Sequence, residues 1–235
     1  MQSTEARAVD TEQIERQGAS MTPTDLNETE IFIVDDDPAV RDVLATVFTA
    51  NGYKVTAFAE GSSLLAATRE RTPACILLDV HIPGRSGLDI LRQLNAQDYP
   101  APIFIISGQG DIPMAVEAIK NGALDFIEKP FRGSAVVGRV REAIEAAKAA
   151  ARRDSNPADA LPLQFQGREP LTRRERDVLA QIVAGASNKE AGRQLGISPR
   201  TVEVHRAHIM QKLSAKNTAD LMRIVMSATR GTASP

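Results

Sequence analysis

Three carboxylates stand directly after an apolar run in Ile33-Val34-Asp35-Asp36-Asp37-Pro38, and a fourth, Asp79, follows Cys75-Ile76-Leu77-Leu78. Ser107 comes after Ile103-Phe104-Ile105-Ile106, and Lys129 after Phe126-Ile127-Glu128. Carboxylates gathered in one place raise one another's pKa unless a cation sits among them. A hard divalent ion such as Mg2+ answers that need with a few protein oxygens and keeps positions open for water and phosphoryl oxygens. A lysine acting as a point charge and a hydroxyl acting as a donor complete a cradle for a phosphoryl group. One carboxylate is then the nucleophile, because carboxylates accept phosphoryl groups covalently and the protein has only to position and neutralise charge.

Bringing these residues together is the task of the elements that precede them. Short runs of branched apolar residues at 31–34, 53–57, 74–78, 102–106 and 124–127 alternate with helical patterns near 38–50, 61–70, 87–95, 112–120 and 133–151. Strands that read as continuous apolar runs belong to a parallel sheet covered on both faces. Five βα units in about 120 residues fit an α/β fold, a five-stranded doubly wound parallel sheet of the flavodoxin-like kind, whose sites lie at the carboxyl ends of the strands. Asp35, Asp36, Asp79, Ser107 and Lys129 then share one edge. Asp37 is set apart by Pro38: an aspartate N-cap with proline at the first helical position accounts for it.

On these residues the segment 30–151 resembles the receiver domain of bacterial response regulators. The resemblance makes Asp79 the phosphoacceptor, Asp35 and Asp36 with Asp79 the Mg2+ ligands, Ser107 the switch hydroxyl, Phe126 the aromatic switch position, and Lys129 the lysine of the phosphoryl site. It also implies a cis peptide at Lys129-Pro130, and an enzymatic aspect limited to self-phosphorylation and self-dephosphorylation. His81, near Asp79, is either a residue that tunes phosphoryl lifetime or an exposed loop residue; Gln109 is a similar case. Gly108-Gln109-Gly110 lacks the third glycine and the ribose-binding acid of a dinucleotide loop. An aspartate-nucleophile phosphatase has a second aspartate where His81 stands.

The chain's 235 residues carry a net charge of −2, distributed unevenly. Residues 1–167 hold 16 Lys/Arg against 24 Asp/Glu, and residues 168–235 hold 12 against 6, giving −8 and +6. An acidic first part and a basic last part suggest a phosphate- or metal-handling module joined to a nucleic-acid binder. Cys75, the sole cysteine, excludes an internal disulfide and a Cys-based metal cluster and reads as a buried small hydrophobe. No run is long and apolar enough for a membrane span, and a cytoplasmic protein is expected. Residues 1–29 are polar and aperiodic and read as disordered, with Met21 a compatible start. Residues 152–168, carrying Asn156-Pro157 and Leu161-Pro162, read as a linker.

From residue 169 to 231 the pattern is helical. Thr172 and Glu175 form a capping box, Ser187 opens a second helix that Gly196 ends, Ser198-Pro199 opens a third, and a fourth lies near 217–229. The spacing of the second and third is that of helix-turn-helix. This small all-α segment is similar to the LuxR-type DNA-binding domain, and the whole chain resembles the NarL/FixJ class, closest to its FixJ-type branch. On the third helix Val202, Ile209 and Leu213 are expected to pack inward, with Arg200, Thr201, Val204, His205, Arg206 and Lys212 on the DNA side. Asn188 and Lys189 are expected at phosphates. Glu203 points to the same groove or its rim, its role open. Leu221, Ile224 and Val225 are core, and the other face of that helix is where family members dimerise on DNA.

These expectations describe a transcription regulator of a two-component system. Its partners are a sensor histidine kinase, promoter DNA, a second copy of the chain on phosphorylation and, as a further candidate, RNA polymerase; a membrane is not among them. Two other readings remain at this point: a DNA-binding regulator whose receiver is a phosphorylation-independent interaction scaffold, and a constitutive DNA binder with an idle receiver.

Overall fold

The computed structural model describes residues 29–108, 112–154, 165 and 169–231. The expected N-terminal extension up to residue 28, most of the expected linker, and Gln109 lie outside the described residues. Thr29, expected in the extension, is instead buried at the start of the sheet, where its carbonyl accepts the Lys54 N–H at 3.2 Å.

Five strands, β1 (Glu30–Val34), β2 (Lys54–Phe58), β3 (Cys75–Asp79), β4 (Ile103–Ser107) and β5 (Asp125–Glu128), form one parallel sheet in the order β2-β1-β3-β4-β5. Four of them begin one residue later than the apolar runs suggest. At β2 the reason is visible: the Tyr53 N–H bonds back to the Phe48 carbonyl at 3.1 Å and closes the turn before the strand begins.

Successive side chains point to opposite faces, and both faces are buried. Ile31, Ile33, Leu77, Phe104 and Ile106 lie in one core with Leu44 and Phe48 of α1 (Pro38–Ala50) and Val136, Val140 and Ile144 of α5 (Gly133–Asp154). Phe32, Val34, Ile76, Leu78, Ile103 and Ile105 lie in the other, with Leu64 of α2 (Gly61–Glu70), Ile90 and Leu91 of α3 (Gly87–Gln93), and Ala118 and Ile119 of α4 (Ile112–Lys120). Each fully buried Leu, Ile or Phe contributes about 1.5–3 kcal/mol, so the sheet is the rigid frame on which strand-end residues are fixed. α3 is shorter than expected; it ends at Gln93 and the chain turns through Asn95 at φ 48°.

The C-terminal helices are α6 (Arg173–Val183), α7 (Asn188–Leu195), α8 (Pro199–Lys212) and α9 (Thr218–Gly231). The expected capping box of Thr172 with Glu175 is formed, Ser187 opens α7 with a second box closed by Glu190, and Ser198 caps α8 ahead of Pro199. Val178, Leu179, Ile182, Val202, Ile209, Leu213, Leu221 and Val225 are buried in the core that also holds the α1–α5 face of the sheet. The two parts touch where Gly196, left-handed at φ 67°, ends α7: a Cβ there would lie 3.2 Å from the Ala143 nitrogen of α5. No described helix is long and apolar enough to cross a membrane.

Candidate functional site

Asp79 and Ser107 are the last residues of β3 and β4, Asp35 follows β1, and Lys129 follows β5, so four neighbouring strands deliver them to the carboxyl edge. Asp35, Asp36 and Asp79 each place one carboxylate oxygen within 4.8 Å of the others. Asp35 and Asp79 are buried and Asp36 is exposed, which leaves the cluster open to solvent on one side. Lys129 Nζ stands 2.8 Å from Asp35 Oδ2 and 3.2 Å from Asp79 Oδ2. The Lys129 N–H donates to the Ser107 carbonyl at 2.7 Å, which ties the lysine to the hydroxyl-bearing residue. Lys129-Pro130 is cis.

The electrostatics suit a cation. Burial raises the Asp35 pKa and the neighbouring Asp79 charge adds to it, against the opposing pull of Lys129. Asp35 Oδ1 accepts the Asp37 N–H at 3.0 Å, whereas Oδ2 has only the Lys129 ammonium beside it, off the line of a hydrogen bond. That buried oxygen has capacity for a metal ion, and the all-oxygen donor set suits Mg2+. Burial works against the charge of Lys129, but Asp35 and Asp79 outweigh it and its pKa is raised, so the lysine is held protonated.

Two supporting residues were not found by reading the sequence. Arg41 donates from one guanidinium nitrogen to the carbonyls of Asp35 at 2.6 Å and Asp36 at 2.9 Å, fixing the acidic loop. Its signal was position: a cation near a helix N-terminus opposes the helix dipole, and α1 carries no acid in its first turn to explain it. The second is Asp125, at the start of β5 and wholly buried. Arg139 and the Thr201 hydroxyl both bond to it, and it accepts the Ser198 N–H at 2.6 Å and the Ser198 hydroxyl at 3.0 Å. Nothing local marks it, because apart from Arg139 of α5 its side-chain partners, Ser198 and Thr201, come from the start of α8 in the other part of the chain. Asp37 is placed as expected: its side chain accepts the Ala39 N–H at 2.8 Å and caps α1.

α8 therefore lies against the receiver-like part. Arg200 stacks its guanidinium over the Phe126 ring at 5.7 Å, and Val204 packs on the core that contains Phe126. The expected DNA-side set divides accordingly. Arg200 and Lys189 are exposed; Val204, Asn188 and Arg206 are half-buried, with Arg206 donating to Asn188 at 3.3 Å and Asn188 to Glu203 at 3.2 Å. Thr201, His205 and Lys212 stand apart from the exposed set in this docked arrangement. Thr201 is wholly buried on Asp125, His205 is 5% exposed, and Lys212 reaches inward to Glu175 at 2.9 Å. All three lie on or beside the stripe of Val202 and Ile209, because α8 turns about 100° per residue and spacings of three, four and seven share a face.

The comparisons with known proteins agree with this architecture. Residues 31–141 match the response regulator receiver domain, and residues 169–225 match the bacterial regulatory proteins of the luxR family. The chain is 39% identical over 198 residues to the transcriptional regulatory protein FixJ of Bradyrhizobium diazoefficiens, covering 84% of this chain and 95% of that one. It is 41% identical over 194 residues to the response regulator protein TodT of Pseudomonas putida, covering 83% and 84%. The crystal structure of full-length FixJ from B. japonicum aligns with a TM-score of 0.52 at 38% identity, over 88% of this chain and 99% of that one. With both domains matched in this order and most of each relative covered, the chain belongs to the two-component response regulators that join a receiver domain to a LuxR-type DNA-binding domain.

Proposed function

We propose that this response regulator is switched by phosphorylation of Asp79, which frees α8 for DNA and opens the receiver face beneath it for pairing with a second copy. The observation that carries the reading is β5, which serves both sites at once. Its first two residues, Asp125 and Phe126, hold the DNA-reading helix, and Lys129 directly after it reaches Asp79.

Asp35, Asp36 and Asp79 are the residues to hold Mg2+, which when bound neutralises phosphoryl oxygens and orients the incoming group. The Asp79 carboxylate attacks the phosphorus of a kinase phosphohistidine; the new O–P bond forms as the N–P bond breaks, and the released imidazole takes its proton from solvent. Lys129 then meets a phosphoryl oxygen as a counter-charge, and the Ser107 hydroxyl donates to another. Each of these contacts exists only with the phosphoryl group present, and such differential contacts are what shift a two-state equilibrium. A shift of Ser107 toward the phosphoryl group leaves room for Phe126 to leave Arg200, and the hold on α8 loosens.

Enzymatic activity is confined to gaining and losing this phosphoryl group. A sensor histidine kinase is the donor and promoter DNA the target, with RNA polymerase as a further partner, in the cytoplasm. Incubation with a small phosphodonor and Mg2+, followed by intact mass measurement, tests the first step. One phosphoryl group is expected per chain, and none in Asp79→Asn. An unchanged mass of the wild-type chain overturns the proposal and favours a phosphorylation-independent scaffold.

A further inference from the structure

At the other end of the sheet from Asp79, a cavity of about 610 Å³ lies between the two domains. The receiver contributes the loops before β4 and β5, from Ala96 to Ile103 and from Ile119 to Leu124, with Ala147 and Ala150 of α5. The helical domain contributes the start of α6 and the second half of α8. The volume is in the range of small-molecule sites, and polar and apolar groups share its lining about equally.

Two polar groups of residues on this wall are buried without partners among the described residues. His205 Nδ1 has no hydrogen bond although His205 is only 5% exposed, and the Tyr99 hydroxyl has none either. Such groups cost free energy unless something meets them. The charges around them lean to the cationic side by one. Lys120, Arg173, Arg174 and Lys212 line the cavity against Asp98, Glu169 and Glu175. Lys212 is taken by Glu175 at 2.9 Å and Glu169 at 3.5 Å, whereas among the described residues Arg174 is paired with Asp177 alone, at 3.8 Å.

The two histidines register this field. Burial lowers His205 to about 4, and His208 and Arg174 push it the same way, against Glu175 and Asp125. Burial lowers His208 as well, with Lys120 and Lys212 adding and Glu175 opposing. Both lean toward the neutral form, the less costly state beside Arg174, Lys120 and Lys212. A negative charge placed there would meet Arg174, draw a proton onto a histidine and give the orphaned donors a partner.

We propose that the interdomain cavity is a binding site for a small organic anion, its carboxylate or phosphate head against Arg174, His205 and Tyr99 and its apolar body against the alanine and isoleucine walls. Because the walls come from both domains, the occupant binds the docked arrangement and loses half its site when the domains part. It therefore opposes release of α8, and acts as a second input alongside the phosphoryl signal. The effect on DNA rests on the proposed masking of α8; the binding itself does not.

The test uses the unphosphorylated full-length chain with benzoate, phenyl phosphate, inorganic phosphate and neutral benzamide as probes, by calorimetric titration and by thermal unfolding. Saturable binding of benzoate or phenyl phosphate is expected, with a raised unfolding temperature, proton uptake on binding, and tighter binding at about pH 6 than at about pH 8. Which of the two binds tells carboxylate from phosphate; inorganic phosphate, too small for the walls, and benzamide, without charge, bind more weakly. Arg174→Gln should lose about tenfold in affinity, and Tyr99→Phe, which removes one oxygen and no packing, severalfold. The bound probe should also weaken the chain's retention on DNA, measured by anisotropy on genomic fragments. Absence of saturable millimolar binding, binding in both variants equal to that of the wild type, or equal binding of benzamide would overturn the proposal; bound probe with unchanged DNA retention would overturn its action on α8 and leave the site. Phosphoryl acceptance by Asp79 is read separately by mass, so its failure leaves the binding result standing.

Discussion

At the scale of single residues, the acidic run divides into two functions. Asp35 and Asp36 turn toward Asp79 and the candidate metal site, while Asp37 turns back to cap α1. Asp36→Ala is therefore expected to abolish Mg2+-dependent phosphorylation with little change in stability, read by intact mass. Asp37→Ala is expected to keep phosphorylation and to cost about 1 kcal/mol of stability in a denaturant melt; lost phosphorylation with an unchanged melt would reverse the assignment. A second residue-scale prediction concerns His205. Its folded pKa of about 4 lies below the ordinary 6.5, so between these values the unfolded chain binds the extra proton. Stability attributable to His205 is full above about pH 6.5 and is lost as pH falls toward about 4, with a slope of up to about 1.4 kcal/mol per pH unit. His205→Gln should flatten that stretch of the stability curve. The Asp37 cap was legible because Pro38 stands beside it. Asp125 was not, since its meaning depends on Ser198 and Thr201, brought to it only by the docking of two domains.

At the scale of elements, the strands and most helix ends were readable because local signals agree: branched apolar runs for a twice-covered sheet, capping boxes and Ser-Pro for helix starts. The site edge followed from the βα order alone. α8 was read less well. Polarity groups Thr201, His205 and Lys212 with Arg200 and Val204, whereas spacing from Val202 and Ile209 puts them on or beside the stripe that is buried in the docked arrangement. The buried polar stripe has a use, since it gives α8 hydrogen-bonding groups for the receiver. Thr201→Val keeps the shape and removes the hydroxyl from Asp125. It is expected to loosen the docked state by about 1–3 kcal/mol and to raise the DNA affinity of the unphosphorylated chain severalfold in an anisotropy titration. Unchanged affinity would mean that Asp125 does not restrain α8.

At the scale of the whole molecule, two oppositely charged domains share a core and a polar latch, and the element that links the candidate phosphoryl pocket to α8 is a single short strand. The pocket needs the carboxyl ends of four strands, and the latch needs the start of the fifth, so signal and output are separated by no more than the length of β5. In such a device the phosphoryl group need supply only the differential stabilisation of the released state. The central claim, that phosphorylation of Asp79 frees α8, is tested most directly by hydrogen exchange across residues 198–204 with and without a small phosphodonor and Mg2+. The Ser198 N–H, donated to Asp125 at 2.6 Å, and its neighbours on α8 are expected to exchange faster once each chain carries a phosphoryl group, and to stay slow in Asp79→Asn. Unchanged exchange there in a fully phosphorylated chain would contradict the account.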